Sequence, residues 1–389
     1  MPYLERIFNR PKTKDRVPRK NQIISEDISE LGGGSIVERR PDQERVERQL
    51  CAGFDAILAK LRKDPDELKA RIEKLKSLPD YGGILGKLEH YFTEEHWEMA
   101  AVLEEYDTAT FNHSLRVAAF VYDLTNDKET NTYLKEHIGI EAGSLEELFT
   151  AALFHDIGKT AIPHDILHDN HSRREWGKHA NDWAVKTGQG LYFDHESLEK
   201  LDEVELDEYF IQMHTVKDSD PLDIVPIEEF FKPEILRELE QHGISPQDTF
   251  RRVLECHEQA TRAILRQRKM YVASDIASHH HDYGRRPIRS ERYPTETSAV
   301  RIGFELSILR AIDVYDALTA NDRSYKNPYH PLLALEILIK EAEAEFTEKE
   351  LTRYVVRDLY KKLTASGKDI PTNDEESQAF EKILAFIGK

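Results

Sequence analysis

His155 and Asp156 stand side by side directly after an apolar stripe made by Leu145, Leu148, Phe149, Ala152 and Leu153. An imidazole nitrogen beside a carboxylate oxygen is a donor pair that divalent metals take. Three other segments also put an ionisable residue where a core residue is due. His113 lies on the face of Val117, Phe120, Val121 and Leu124; His257 lies with Val253, Leu254, Ala260, Ile264 and Leu265; Asp313 continues the stripe Ile302, Leu306, Leu309 and runs on to Ala317. Singly, each has a plainer explanation: a core histidine bonded to a backbone carbonyl, or an aspartate serving as a cap or half an ion pair. Together they demand more. A buried carboxylate without a partner costs several kcal/mol, and neutral imidazoles cannot compensate two of them. A bound divalent ion satisfies all four faces at once.

His279, His280 and His281, followed by Asp282, form a fifth segment. Neighbours on a regular helix diverge by about 100°, so adjacent histidines can share a target only at a helix end or in a loop. An exposed polar loop is an equally good reading of that run taken alone.

The elements that must position these groups read as helices, and the expected fold is all-α: a helical bundle with an N-terminal helical segment. Residues 1–48 are expected as a flexible tail, with a weakly basic start and three glycines at 32–34. Leu50, Phe54, Ile57 and Leu61 recur at helical spacing in a region, 49–105, that would pack against the core; the run Leu78-Pro79-Asp80-Tyr81-Gly82-Gly83 should break it. A catalytic domain over 106–365 follows, with an insertion at about 171–244 whose histidines, His171, His179, His195 and His214, are expected on the surface. Residues 366–389 are expected as a C-terminal tail with a short helix.

With 389 residues the chain can bury a sizeable core, and 39% apolar with 33% charged residues places it among globular proteins. No apolar run reaches the ~18 residues of a membrane span. Cys51 and Cys256 are the only cysteines, which excludes a disulfide framework and suggests the cytoplasm. A net charge of −19 repels nucleic acid and anionic membranes, so an anionic substrate needs local cations. Composition leaves a protein partner or a homo-oligomer open.

Phe154-His155-Asp156-Ile157-Gly158-Lys159, then Ile162-Pro163 and Ile166-Leu167, resembles the signature of HD-domain phosphohydrolases. The HD-GYP subgroup, which hydrolyses the signalling nucleotide cyclic di-GMP, is the closer likeness. His113-Ser114-Leu115-Arg116-Val117-Ala118 is similar to its upstream histidine helix, and His257-Glu258 with Ile264-Leu265 to its third helix. Asp313-Val314-Tyr315-Asp316-Ala317-Leu318-Thr319, then Arg323, Tyr325 and Lys326, is similar to its closing motif, the most specific of these matches. The resemblance implies a cluster of divalent ions, iron or manganese, with Asp156 bridging two of them. His155, His257, His280, His281 and Asp313 would complete the ligands, with His113 on the other side. Which two of the three adjacent histidines are ligands stays open; the family places its pair directly before an acidic residue, which favours His280 and His281. Lys159 would face a substrate phosphate, and Arg323 could hold a second one.

The chain also departs from the subgroup. The Gly-Tyr-Pro loop is replaced by Asp282-Tyr283-Gly284-Arg285-Arg286-Pro287, and the glutamate that supplies a third metal is Ala109 here, which favours two ions. The expected activity is a metal-dependent phosphodiesterase acting on a cyclic dinucleotide. The alternatives are a phosphohydrolase for another nucleotide or phosphoester, and a cyclic di-GMP receptor or scaffold without hydrolysis.

Overall fold

The computed structural model describes residues 41–138, 145–169, 171–188, 192–202, 206, 225–281, 296–320, 328–344 and 347–388. They are all-α: one isolated bridge, Pro226 to Thr249, is the only extended pairing among them. Four helices come first, α1 (Pro41–Leu61), α2 (Pro65–Lys76), α3 (Asp80–Leu88) and α4 (Glu94–Tyr106). Then come α5 (Thr108–Asn126), α6 (Lys128–Tyr133) and α7 (Leu145–Phe154), a 3-10 turn at Ile157–Ala161, and α8 (His164–Leu167). Next are α9 (Arg173–Lys186), α10 (His195–Lys200), α11 (Pro233–Gln241), α12 (Phe250–Gln267) and α13 (Tyr271–Ala277). The chain closes with α14 (Glu296–Thr319), α15 (Pro331–Glu343), α16 (Lys349–Ser366) and α17 (Asp374–Ile387). No helix among the described residues is long and apolar enough to cross a membrane.

Local chemistry explains where these helices start and stop. Asp107 caps α5 by accepting the Thr110 N–H at 2.7 Å, and Thr249 caps α12 by accepting from Arg252 at 3.3 Å. α16 stops at Gly367, whose left-handed backbone (φ 67°) lets the Lys368 N–H reach back to the Leu363 carbonyl. α1 begins at Pro41, inside the segment expected as tail; a proline suits the first turn of a helix, where its missing N–H costs nothing. The expected break at 78–83 is present but shorter: α2 ends at Lys76, residues 77–79 are not helical, and α3 opens at Asp80 with Pro79 at its N-cap, because a proline that cannot continue one helix can open the next.

The main core joins α1–α7 to α12–α17. α14 packs on α5, α13, α15 and α16, so it is covered on most sides rather than along one stripe. Leu306 and Ala317, expected on its inner stripe, are only half-buried, while Glu305 and Asp316 are fully buried. A second apolar cluster lies apart: Trp176, Phe193, Leu198, Val225, Ile227 and Leu239 pack with Ile162 and Ile166 and with Phe250 and Val253 at the start of α12. His171 and His179, expected on the surface, are half-buried against its aromatic rings. His179 lies 4.9 Å from Phe230 and His171 6.1 Å from Trp176, ring centre to ring centre. His195 is exposed, and His214 lies outside the described residues.

One buried histidine ties the N-terminal helices to α7. His96 caps α4 by accepting the Thr93 N–H on Nδ1, and its Nε2 meets Thr150 Oγ1 at 3.1 Å. Burial lowers its pKa from 6.5 to about 4. Between those values the unfolded chain holds a proton that the folded one refuses, so stability is full above pH 6.5 and is lost as pH falls toward 4. Chemical denaturation at pH 7 and pH 4.5 should show the parent losing roughly 2–3 kcal/mol more than His96→Gln over that interval. Equal losses in both proteins would remove His96 as the cause.

Candidate metal centre

Three helices and two turns deliver the ionisable groups to one buried point. His113 sits on the inner face of α5 and is 4% exposed. α7 ends at Phe154, so His155 and Asp156 occupy the turn between α7 and the 3-10 segment rather than the helix itself, where the sequence pattern had placed Asp156. That break brings two adjacent side chains to one centre, which a regular helix forbids. The chain uses the device again: α13 ends at Ala277, and the adjacent histidines lie in the turn after it. α12 contributes His257, and α14 contributes Asp313.

Asp156 lies between two groups of histidines. Its Oδ1 faces His257 Nε2 at 3.5 Å and His280 Nε2 at 4.0 Å. Its Oδ2 faces His155 Nε2 at 3.5 Å, His113 Nε2 at 3.7 Å and the Lys159 ammonium at 2.5 Å. Asp313 closes one side, with Oδ1 2.9 Å from His113 Nε2 and 3.6 Å from His155 Nε2. Three sets of possible donor atoms come together: His113, His155 and Asp156; His155, His280 and Asp313; and His257, His280 and His281. Of the three adjacent histidines, 280 and 281 thus join the cluster. His281 is open to solvent while its ring packs 3.9 Å from that of His280.

The outer ring nitrogens are already committed. His155 Nδ1 donates to the Ala152 carbonyl at 2.9 Å, His280 Nδ1 to Ala277 at 2.6 Å, and His257 Nδ1 to Leu254. Each bond fixes the tautomer that leaves Nε2 as a bare lone pair aimed inward. His113 differs. Its Nδ1 donates to Asp316 Oδ2 at 2.7 Å, and Arg116 holds both oxygens of that carboxylate, at 2.7 and 3.0 Å.

Lone pairs aimed at one another and at carboxylates repel unless a cation joins them. His113 and His155 bring their Nε2 atoms to 3.2 Å, and His257 and His280 to 3.5 Å. Protons are poor candidates for most of these contacts. Burial drives the pKa of His257 down to about 3, and burial likewise pushes that of His280 down. His113 is the exception: burial opposes its imidazolium, but hydrogen bonds to Asp313 and Asp316 outweigh burial and raise the pKa. Both central aspartates stay ionised. Burial disfavours the Asp156 anion, yet Lys159 and the surrounding histidines hold its pKa well below the usual range; for Asp313, His113 and His155 likewise outweigh burial. Two buried anions beside inward-facing imidazole nitrogens make a donor set that fits divalent ions.

Arg323 lies outside the described residues, as does the segment 282–295 that stands where the Gly-Tyr-Pro loop is expected. Lys159 is brought to the centre by its contact with Asp156 and is partly exposed. The sequence reading assigned no role to Asp316, Arg116, Thr261 or Gly158. The first two carried a signal: each lies three residues after a ligand candidate, His113 or Asp313, so each shares its face. Thr261 Oγ1 donates to the His155 carbonyl at 2.9 Å and accepts the Gly158 N–H at 2.9 Å, splicing the 3-10 turn to α12. Gly158 permits that contact, since a methyl there would overlap the His257 carbonyl and the Thr261 backbone.

Replacing Gly158 by alanine should therefore destabilise the protein by more than the ~1–3 kcal/mol usual for overpacking, read as a lowered denaturation midpoint. A midpoint within error of the parent would show that the turn can move off α12. Asp316→Asn keeps the shape but weakens the acceptor behind His113. Metal affinity should fall about 10–100-fold with the helical signal unchanged, and unchanged affinity in a metal titration would dismiss the bracing role.

Residues 110–216 match the family model described as HD domain. Proteins with this domain are generally metal-dependent phosphohydrolases, and the His/Asp clusters above are groups that could bind the metal. No curated protein and no solved structure matches the chain.

Proposed function

We propose that the chain is a metal-dependent phosphodiesterase that cleaves a cyclic dinucleotide, cyclic di-GMP being the favoured substrate, in the cytoplasm. One observation carries the hydrolase reading: the Asp156 carboxylate sits between two histidine groups, each with Nε2 atoms facing it. That arrangement supports a bridging role for Asp156 between two ions. His113, His155 and Asp313 would hold one side, and His257, His280 and His281 the other. The substrate class rests on the run Asp313 to Thr319 and on its likeness to the subgroup's closing motif. Both cysteines are free and buried, which suits a reducing compartment.

Two divalent ions, iron or manganese by the donor set, would supply an ionised water and Lewis-acid contacts to the phosphate oxygens. The chain's own groups do the rest. Three backbone-anchored imidazoles keep their Nε2 atoms aimed without needing to reorganise. Imidazole ligands carry no charge, so they leave the ions' positive charge in place to acidify the water. Lys159 offers a partly exposed ammonium that can face the negative charge building on the phosphate. In a chain of net charge −19, this local positive field is what admits an anionic substrate.

Anaerobically purified protein should contain iron or manganese and cleave cyclic di-GMP. Asp156→Ala should lose both its iron or manganese and hydrolysis; a variant that keeps its full iron or manganese content would sink the bridging assignment. Lys159→Ala should retain its metal and turn over at least about tenfold more slowly, and undiminished turnover would remove Lys159 from the chemistry. Metal with no cleavage of cyclic di-GMP, but cleavage of another phosphoester in a substrate panel, would keep the centre and replace the substrate.

A further inference from the structure

A second group of donors lies where α4 meets α5 and shares no residue with the buried centre. Asp107, at the N-cap of α5, uses Oδ2 to accept the Thr110 N–H, which leaves Oδ1 turned toward α8. His168 Nε2 lies 3.1 Å from that oxygen, and His164 Nε2 lies 3.9 Å from it. The three donor atoms are all within 4.8 Å of one another. We propose that Asp107, His164 and His168 form a separate, solvent-facing site for a divalent transition ion such as zinc.

The local build favours an ion over a plain ion pair. His164 opens α8 and His168 follows its last residue, so the two are four residues apart and share a face, the spacing that lets two imidazoles grip one ion. Their rings stand 4.2 Å apart, centre to centre. A salt bridge to Asp107 explains one histidine; the convergence of both on a single oxygen is what an ion explains. The two nitrogens lie 3.1 and 3.9 Å from the oxygen, and all three atoms are within 4.8 Å of one another, so a small contraction brings them to the ~2 Å ligand distance of zinc. The segment is also held in place. The Tyr106 hydroxyl donates to the Ile162 carbonyl at 2.7 Å, and Ile166 is buried in the second apolar cluster. The carboxylate is ready to ligate: burial opposes its charge, but the Thr110 hydrogen bonds and His168 outweigh burial and lower its pKa. Asp107 is 9% exposed, whereas the His164 side chain is 59% exposed, so coordination positions remain for water.

The test counts ions on the full chain, stripped with chelator and reloaded with zinc. His164→Gln and Asp107→Asn should each bind one zinc fewer than the parent, or bind it with affinity weakened beyond the ~10–100-fold typical of losing only a supporting contact. Asparagine caps helices as well as aspartate does, so Asp107→Asn should keep α5 intact. Asp156→Ala combined with His280→Ala, which breaks all three buried donor sets, should still take up one zinc, and adding His164→Gln should abolish it. Undiminished stoichiometry and affinity in both single variants, or no zinc on the double variant, would overturn the proposal. Because that background lacks the buried centre, these outcomes do not depend on whether the centre is a phosphodiesterase.

Discussion

Two ionised aspartates are buried among imidazoles whose lone pairs point at them, and this electrostatic demand organises the rest of the fold. Neither Asp156 nor Asp313 can stay charged in such a place unless positive charge is held close. Lys159 meets part of the demand for Asp156, and His113 part of it for Asp313. His257 and His280 contribute little charge, since burial keeps them unprotonated. What those rings contribute is direction. Each has given its outer nitrogen to a carbonyl three residues earlier, so the backbone itself aims them.

That requirement explains why helices stop where they do. A continuous α7 would send His155 and Asp156 to different neighbours, and a longer α13 would part His280 from His281. Ending both helices just before the paired residues lets a turn present both side chains to one point. The long helices α5, α12 and α14 can then stay regular, since each need bring only one ligand candidate, and Asp107 and Thr249 at the starts of α5 and α12 fix the register that aims it.

Much of this was legible in the sequence because a charged residue on an apolar stripe is a conflict that only tertiary structure resolves. His113, His257 and Asp313 announced themselves in that way. The helical class followed from the same spacing. Asp156 was found for a partly mistaken reason, as a helical residue, because hydrophobic periodicity does not mark the turn that ends α7. Asp316 escaped notice because α14 is buried on most sides, which blurs the contrast between stripe and solvent face. Glu305 and Arg310 are buried there as well. Thr261 was not readable at all: a threonine on a helix face reports nothing about a turn 106 positions earlier in the chain. Residues 41–48 read as tail because they carry little apolar periodicity, yet they form the first turns of α1; Pro79 does mark a break, and it also opens the helix that follows.

The hydroxyl of Thr261 touches both ends of the turn that holds Asp156, and it stands on the same helix as His257, one turn further on. The centre is therefore not five independent arms reaching for a point. Two of its arms are spliced to a common beam, so any tilt of α12 shifts His155, Asp156 and His257 in concert and leaves their mutual spacing unchanged. Motion of α14, which carries Asp313, would alter the gap between that rigid trio and its remaining partners. Breathing of the site is thus relative motion between this spliced unit and the elements that carry the remaining partners.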